Sequence, residues 1–312
     1  MGFVLRLRRP NPGRVFYGWY ITIAGACSNF LLIGIAVLGF GVFIEQFRQE
    51  FGWSVKAIAL GFSLRSLETG LMSPLTGMMV DRFGPKRMAI TGVIIVAIGL
   101  FMFSQARNLP VYYAASAILA LGQSLGGFGA FTLAIMNWFN KKRGRAMGLI
   151  NSGNGFGYFA TLIMASMIQS IGWRETLIVL SATVLVVGIP LALVIRDRPE
   201  PYGLLPDGEQ PTPEALELMK LEQGKPRRRS SGSGPGFEVS QVVRMPAFYL
   251  LCIAGALGGA TQGAWVTFQI PHYQSAGFSI GVTGVLVAVY GLVQVPMRFG
   301  AGWLGDIVGR RR

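Results

Sequence analysis

Charge is scarce in this sequence. Only 13% of its 312 residues are charged, and 14 acids stand against 28 bases. Histidine occurs once, at His272, and cysteine twice, at Cys27 and Cys252. So few ligating side chains exclude the usual His/Cys metal sites, and no metal is expected. Both cysteines sit inside apolar runs, without disulfide-framework or metal-ligand spacing, and are read as small core residues. There is no Ser/His/Asp set and no phosphate loop. The glycines of GLINSGNGFG follow no strand, and no acidic residue comes after them at the spacing of a dinucleotide fingerprint. No enzyme and no cofactor are expected.

Apolar residues are abundant. The chain is 52% hydrophobic, contains 43 glycines and has a mean hydropathy of +0.49. Eight apolar runs, at roughly 17–43, 56–79, 88–105, 110–136, 146–170, 174–195, 246–270 and 280–303, are each long enough to cross a bilayer. Lipid offers the backbone no partners, so these runs are expected to be helices. The first follows the basic residues Arg6, Arg8, Arg9 and Arg14 and is too long for a signal-peptide core.

The bases are unevenly distributed. With residues 1–16 in the cytoplasm, 22 of the 28 Lys and Arg fall in cytoplasmic segments and only Arg48, Lys56, Arg107 and Arg174 in outer loops. That asymmetry is the positive-inside signal. It also accounts for the net charge of +14 without nucleic acid, and the partners expected are a lipid bilayer and a small solute. The organisation expected is a cytoplasmic segment 1–16, a six-helix bundle 17–195, a linker 196–245 and two further helices in 246–312. The Pro- and Gly-rich linker reads as flexible and cytoplasmic. Residues 213–222 could form a short helix within it. Its run Arg227–Arg229 is either solvated or in contact with anionic lipid.

One stretch is duplicated. GMMVDRFGPKR runs from Gly77 to Arg87, and GWLGDIVGRRR from Gly302 to Arg312, 225 residues later. Gly77, Asp81, Gly84 and Arg87 correspond to Gly302, Asp306, Gly309 and Arg312, with Arg82 and Lys86 in the first copy and Arg310 and Arg311 in the second. Duplicated halves in a membrane protein point to a transporter. A charged turn that merely sets topology is the bland alternative.

The first copy resembles the loop between helices 2 and 3 of the major facilitator superfamily, which repeats it in weakened form between helices 8 and 9. Ile307, standing where the Arg after Asp81 would repeat, is such a weakening. The basic turn NWFNKKRGRAMG resembles that family's helix 4–5 loop. Gly18-Trp19, Phe51-Gly52-Trp53-Ser54, Gly172-Trp173-Arg174 and the GLLPDG within Pro199–Gly208 are similar to the monocarboxylate-porter and oxalate/formate-antiporter branch. The resemblance implies an all-α fold of twelve helices in two bundles, of which this sequence would supply the first bundle and two helices of the second. A piece of a longer protein is therefore expected, with a natural half-protein as the alternative. It implies secondary transport of small organic anions, mono- or dicarboxylates, in a cell membrane. The expected energy source is coupling to protons or to an exchanged anion, and no obligate protein partner is expected. A non-transporting sensor or partner subunit on the same fold is the second reading.

Several residues could carry the chemistry. Arg65 and Glu68 share one face of the second helix near mid-bilayer. They are either an ion pair locking that helix to a neighbour or part of a substrate and proton path. Arg298 is either a snorkelling cation or a carboxylate fork. The resemblance puts the branch's substrate-binding arginine at its position, and Gln294 where proton-coupled members carry Asp. Gln123, Asn151 and Asn154 are polar residues inside helices, as interhelical hydrogen bonds or as ligand contacts. His272 is an interface residue or a proton relay. Asp81, beside the basic turn carrying Arg143 and Arg145, is expected to latch the inner face by pairing with one of them. Gly148, Gly153, Gly155 and Gly157 are expected to line a tight, moving helix interface.

Overall fold

The structure is a computed structural model in which residues 16–202, 204–208, 241, 244–278 and 280–308 are described. The possible helix at 213–222, Arg227–Arg229, Gly309 and Arg310–Arg312 lie outside the described residues. Among the described residues there is no strand.

Helices follow the apolar runs, with two interruptions. The first run gives α1 (Tyr17–Ile33), a π-helical turn Gly34–Leu38, a 3-10 turn Gly39–Val42 and α2 (Phe43–Phe51). Glycines at 34, 39 and 41 weaken the regular helix there. Next come α3 (Val55–Phe83) and α4 (Pro85–Ser104), with Ser54 capping the first and Pro85 opening the second. The run at 110–136 divides at Gly126-Gly127 into α5 (Leu109–Gly126) and α6 (Phe128–Trp138). Then follow α7 (Arg143–Ile171), α8 (Trp173–Leu193), α9 (Pro246–Ser275) and α10 (Ile280–Val308).

Among the described residues, five segments are long and apolar enough to cross a membrane: Tyr17–Leu38, Pro85–Ser104, Leu109–Trp138, Trp173–Leu193 and Val285–Ile307. α3, α7 and α9 are also long enough, at 29, 29 and 30 residues, although polar side chains and glycines dilute α3 and α7. The repeat extends to whole elements. α3 and α10 both have 29 residues, and both their limits differ by the loop offset.

Aromatic clusters close both ends of the first bundle. At the end carrying the 81–87 and 140–145 loops, hereafter the basic end, Trp138, Phe139, Phe131 and Ile21 are buried together. At the opposite end Phe43, Phe47, Phe103, Tyr112 and Trp173 do the same. Their polar tips are satisfied: the Tyr112 hydroxyl donates to Ile58 O at 2.9 Å, and Trp173 Nε1 donates to Glu50 at 2.6 Å. Arg174 forms an ion pair with the same carboxylate.

α7 is the hub, with α1 on one side and α10 on the other. Its glycines divide between them. Gly148 meets the backbone of Arg298 and Phe299, and Gly155 meets Gly291 and Val295. Gly153 instead meets Ala26 of α1, and Gly157 meets Gly34. The expectation that all four glycines line one moving interface is thus corrected: two face the second half and two are fixed within the first. The cysteines also depart from expectation. Cys27 and Cys252 are exposed on helix surfaces, because a small, weakly polar thiol suits an apolar face as well as a core.

Candidate functional site

Arg65, on α3, is buried, with 7% of its surface exposed. Its Nη2 donates to Ala36 O at 2.5 Å and to Gln123 Oε1 at 3.2 Å. Gln123 Nε2 in turn reaches Leu32 O at 3.5 Å. The break in the first helix explains this arrangement. A π turn leaves carbonyls without regular i+4 partners, and irregular backbone at membrane depth must be satisfied from elsewhere. Arg65 therefore ties α3 to the broken segment and to α5. Glu68 is half-buried one turn further on, within electrostatic reach of the guanidinium.

A second polar group lies along the α7–α10 seam. Arg298 Nη2 donates to Gln294 Oε1 at 2.5 Å, one turn earlier on α10. Tyr158 of α7 lies beside both. It packs edge-on against Tyr290, with ring centroids 5.5 Å apart, and Trp265 of α9 approaches Tyr290 at 5.8 Å. Asn154 Oδ1 is buried and makes no hydrogen bond among the described residues, and the buried Gln294 amide has the Tyr158 hydroxyl within reach. An arginine with an amide and a phenol beside it offers several donors to a polar ligand. Asn151 does not join them, because its Nδ2 donates to Met147 O of its own helix at 2.8 Å. His272 is exposed near the end of α9, its ring 6.1 Å from that of Tyr273 and tilted against it.

Tyr158, Tyr290 and Trp265 were not singled out from sequence. A signal existed: Tyr290, Gln294 and Arg298 recur every fourth residue, as do Asn154 and Tyr158, so each set shares a helix face.

The basic end carries the repeated loops. The Asp306 carboxylate accepts from the backbone N–H of Gly144 at 2.7 Å and of Arg145 at 2.8 Å, at the first turn of α7. A carboxylate there satisfies orphan donors and faces the positive end of the helix dipole. The Gly302 and Gly144 backbones touch beside it. Arg143 donates to Phe139 O at 2.6 Å and to Met136 O at 2.9 Å, closing the end of α6. The turn expected to meet Asp81 is thus met by Asp306, the aspartate of the second copy. Asp81 and Arg87 are exposed, Arg82 lies over the Phe83 ring at 5.5 Å, and the Lys86 N–H donates to Asp197 at 3.3 Å. The positive φ of Gly84, +87°, makes the turn between α3 and α4.

Residues 21–312 match the model of the Major Facilitator Superfamily. The chain belongs to that superfamily. Among similar proteins is the Fujikurins efflux protein of Gibberella fujikuroi, 26% identical over 94% of this chain and 57% of its own length. Monocarboxylate transporter 13 of Bos taurus is 23% identical over 96% of this chain and 64% of its own. The protein named "Probable sulfoacetate transporter SauU", of Cupriavidus necator, is 24% identical over 91% and 62%. The chain thus spans less than two thirds of the length of each. The family identifies a multi-pass membrane protein with an all-α major facilitator fold, and these relatives bear transporter or efflux names.

Proposed function

We propose that this superfamily member is a secondary transporter of small organic anions, mono- or dicarboxylates, working by alternating access in a cell membrane. Its basic end and N-terminus face the cytoplasm, in accord with the Lys and Arg distribution. The observation that carries the reading is Arg298. It is a partly buried guanidinium held by Gln294 at the seam between the halves, beside Tyr158. Arginine presents a planar fork that matches a carboxylate. The names of the monocarboxylate and sulfoacetate relatives point to the same charge class.

Arg65 and Gln123 form the matching polar group of the first half, with Glu68 as the candidate proton carrier. The contact of Asp306 with α7 is the closed state of the inner gate. Asp81, Arg82, Lys86 and Arg87 belong to the corresponding gate of the other repeat.

Uptake of radiolabelled carboxylates by the full-length protein in proteoliposomes is the test. Uptake that saturates and is lost in Arg298→Gln is expected. A well-folded protein that moves no anion in a broad screen would overturn the reading in favour of a sensor or partner subunit.

A further inference from the structure

The GLLPDG stretch has no part in the substrate path, yet it is bound closely to the bundle. Beyond α8 the chain runs across the basic end. Val194 O accepts from the Tyr17 hydroxyl at 2.9 Å, and Arg196 O from Trp138 Nε1 at 2.7 Å. The Arg196 guanidinium lies between the Tyr17 and Tyr202 rings, 3.9 and 4.2 Å from their centroids. Asp197 O accepts from Asn137 Nδ2 at 2.9 Å, while its carboxylate accepts from the Lys86 N–H. Leu204 packs on the Trp138 cluster.

The stretch ends on Asp207, the one non-glycine residue with positive φ among the described residues, at +62°. Asp tolerates that conformation better than most residues. Its carboxylate accepts from three successive backbone N–H groups: Asn140 at 2.9 Å, Lys141 at 2.7 Å and Lys142 at 3.1 Å. The next donors along the chain, Gly144 and Arg145, go to Asp306 of the second half. Two carboxylates from opposite directions therefore share the entry to α7. One is fixed to the first bundle, and the other comes from the second.

We propose that Asp207 is a positioning residue for the inner gate. It holds the 140–142 turn so that the N–H groups of 144 and 145 face Asp306, and so sets how firmly the halves close at the basic end. The proposal rests on the alternating-access reading for its consequence in transport. Carboxylate–amide hydrogen bonds at a helix start are charge-assisted, so removing one carboxylate frees the turn to rotate away from the other.

The test uses the full-length protein with every native cysteine, Cys27 and Cys252 included, changed to Ser and a single reporter, Ser152→Cys. Ser152 is buried in the seam, and its hydroxyl reaches Val295 O at 3.4 Å. Labelling by a membrane-impermeant thiol reagent applied at the basic end reads the opening of the halves and requires no substrate. Asp207→Gly removes the acceptors and relieves the backbone, so it does not confuse strain with lost bonds. Labelling is expected to rise several-fold in Asp207→Gly and to be unchanged by that substitution in an Asp306→Asn background, where the partner is already weakened. Asp207→Asn, which keeps size and φ preference, is expected to show the same order with a smaller rise.

Three results would overturn the proposal. They are unchanged labelling, an equal rise in the Asp306→Asn background, and a parallel rise at Ser181→Cys, which lies between α8 and α4 and hydrogen-bonds Ala97 O. The last would mark general loosening of the first bundle. A failure to find a transported anion leaves this readout intact, while unchanged labelling in an active transporter sinks only the role of Asp207.

Discussion

Arg298 and Gln294 lie one turn apart on α10, with the guanidinium donating to the amide oxygen at 2.5 Å. The pair orients the fork without neutralising it, as an aspartate at 294 would. Arg298→Lys keeps the charge and loses the fork, so anion affinity should fall by about 1–3 kcal/mol, about fivefold to a hundredfold. Arg298→Gln should fall further, because the anion then lacks a countercharge. Uptake kinetics at matched expression separate the three forms. Wild-type affinity in the Lys form would return Arg298 to a snorkelling role.

Gln294→Glu adds the missing carboxylate. Ionised, it competes with the substrate for Arg298; protonated, it releases the fork. Uptake by Gln294→Glu should therefore rise as pH falls, with a slope the parent protein lacks at this residue. A flat ratio of variant to parent across the pH range would mean that position 294 does not address the bound anion.

Arg65→Met should destabilise the fold. It strips a donor from Ala36 O and from Gln123, and a buried polar group left unpartnered costs about 1–3 kcal/mol. Thermal melting in detergent should show a lowered midpoint, partly restored in Arg65→Lys. Equal melting of Met and Arg forms would mean that the tie to the broken first helix contributes nothing to stability.

At the opposite end, burial raises the pKa of the Glu50 carboxyl, but hydrogen bonds from Arg174 and Trp173 and the charge of Arg174 outweigh it, so the net shift is downward. A depressed carboxylate contributes stability that is fully present above its unfolded-state value and is lost as pH falls through its folded-state value. The difference in melting between parent and Glu50→Gln should therefore shrink below the ordinary carboxylate range. A difference that persists undiminished in acid would assign the effect to the Trp173 hydrogen bond rather than to charge.

A Cβ on Gly155 would lie 2.7 Å from Val295 Cγ2 and 2.8 Å from Gly291 O, whereas one on Gly129 meets nothing within 4 Å. Overpacking of this kind costs about 1–3 kcal/mol. Gly155→Ala should force α10 off α7 and depress uptake, while Gly129→Ala should be silent. Full activity in Gly155→Ala would show that the seam has slack.

Helix identity was legible because lipid forces every long apolar run into a helix, and the repeat located the end of α10 as well as that of α3. The break at residues 34–42 was hidden, since glycines in an apolar run are also what tight packing requires. Arg65 was visible as a costly charge, but its partner is a backbone carbonyl, and carbonyls leave no mark in a sequence. Arg298 was visible as a charge inside an apolar run, and it and Gln294 were singled out through the resemblance to the monocarboxylate-porter branch. Tyr158 and Trp265 became part of the site only when α7, α9 and α10 met. The repeated loops illustrate a further limit. Both aspartates of the repeat were marked, but only packing shows that Asp306 meets Gly144 and Arg145, and nothing local marks Asp207 as serving the same turn.

α10 has 29 residues, so it is about 43 Å long and exceeds a hydrocarbon core of about 30 Å. Its two functional groups therefore lie in different electrical surroundings. Asp306 belongs to the hydrated margin, where mobile ions screen charge over about 8 Å at physiological ionic strength. Arg298, eight residues earlier and about 12 Å deeper, is out of their reach. Added salt at the basic end should loosen the closure of the halves and leave the recognition of the anion untouched. One helix would thus let ionic strength set how often the halves part, independently of what binds between them.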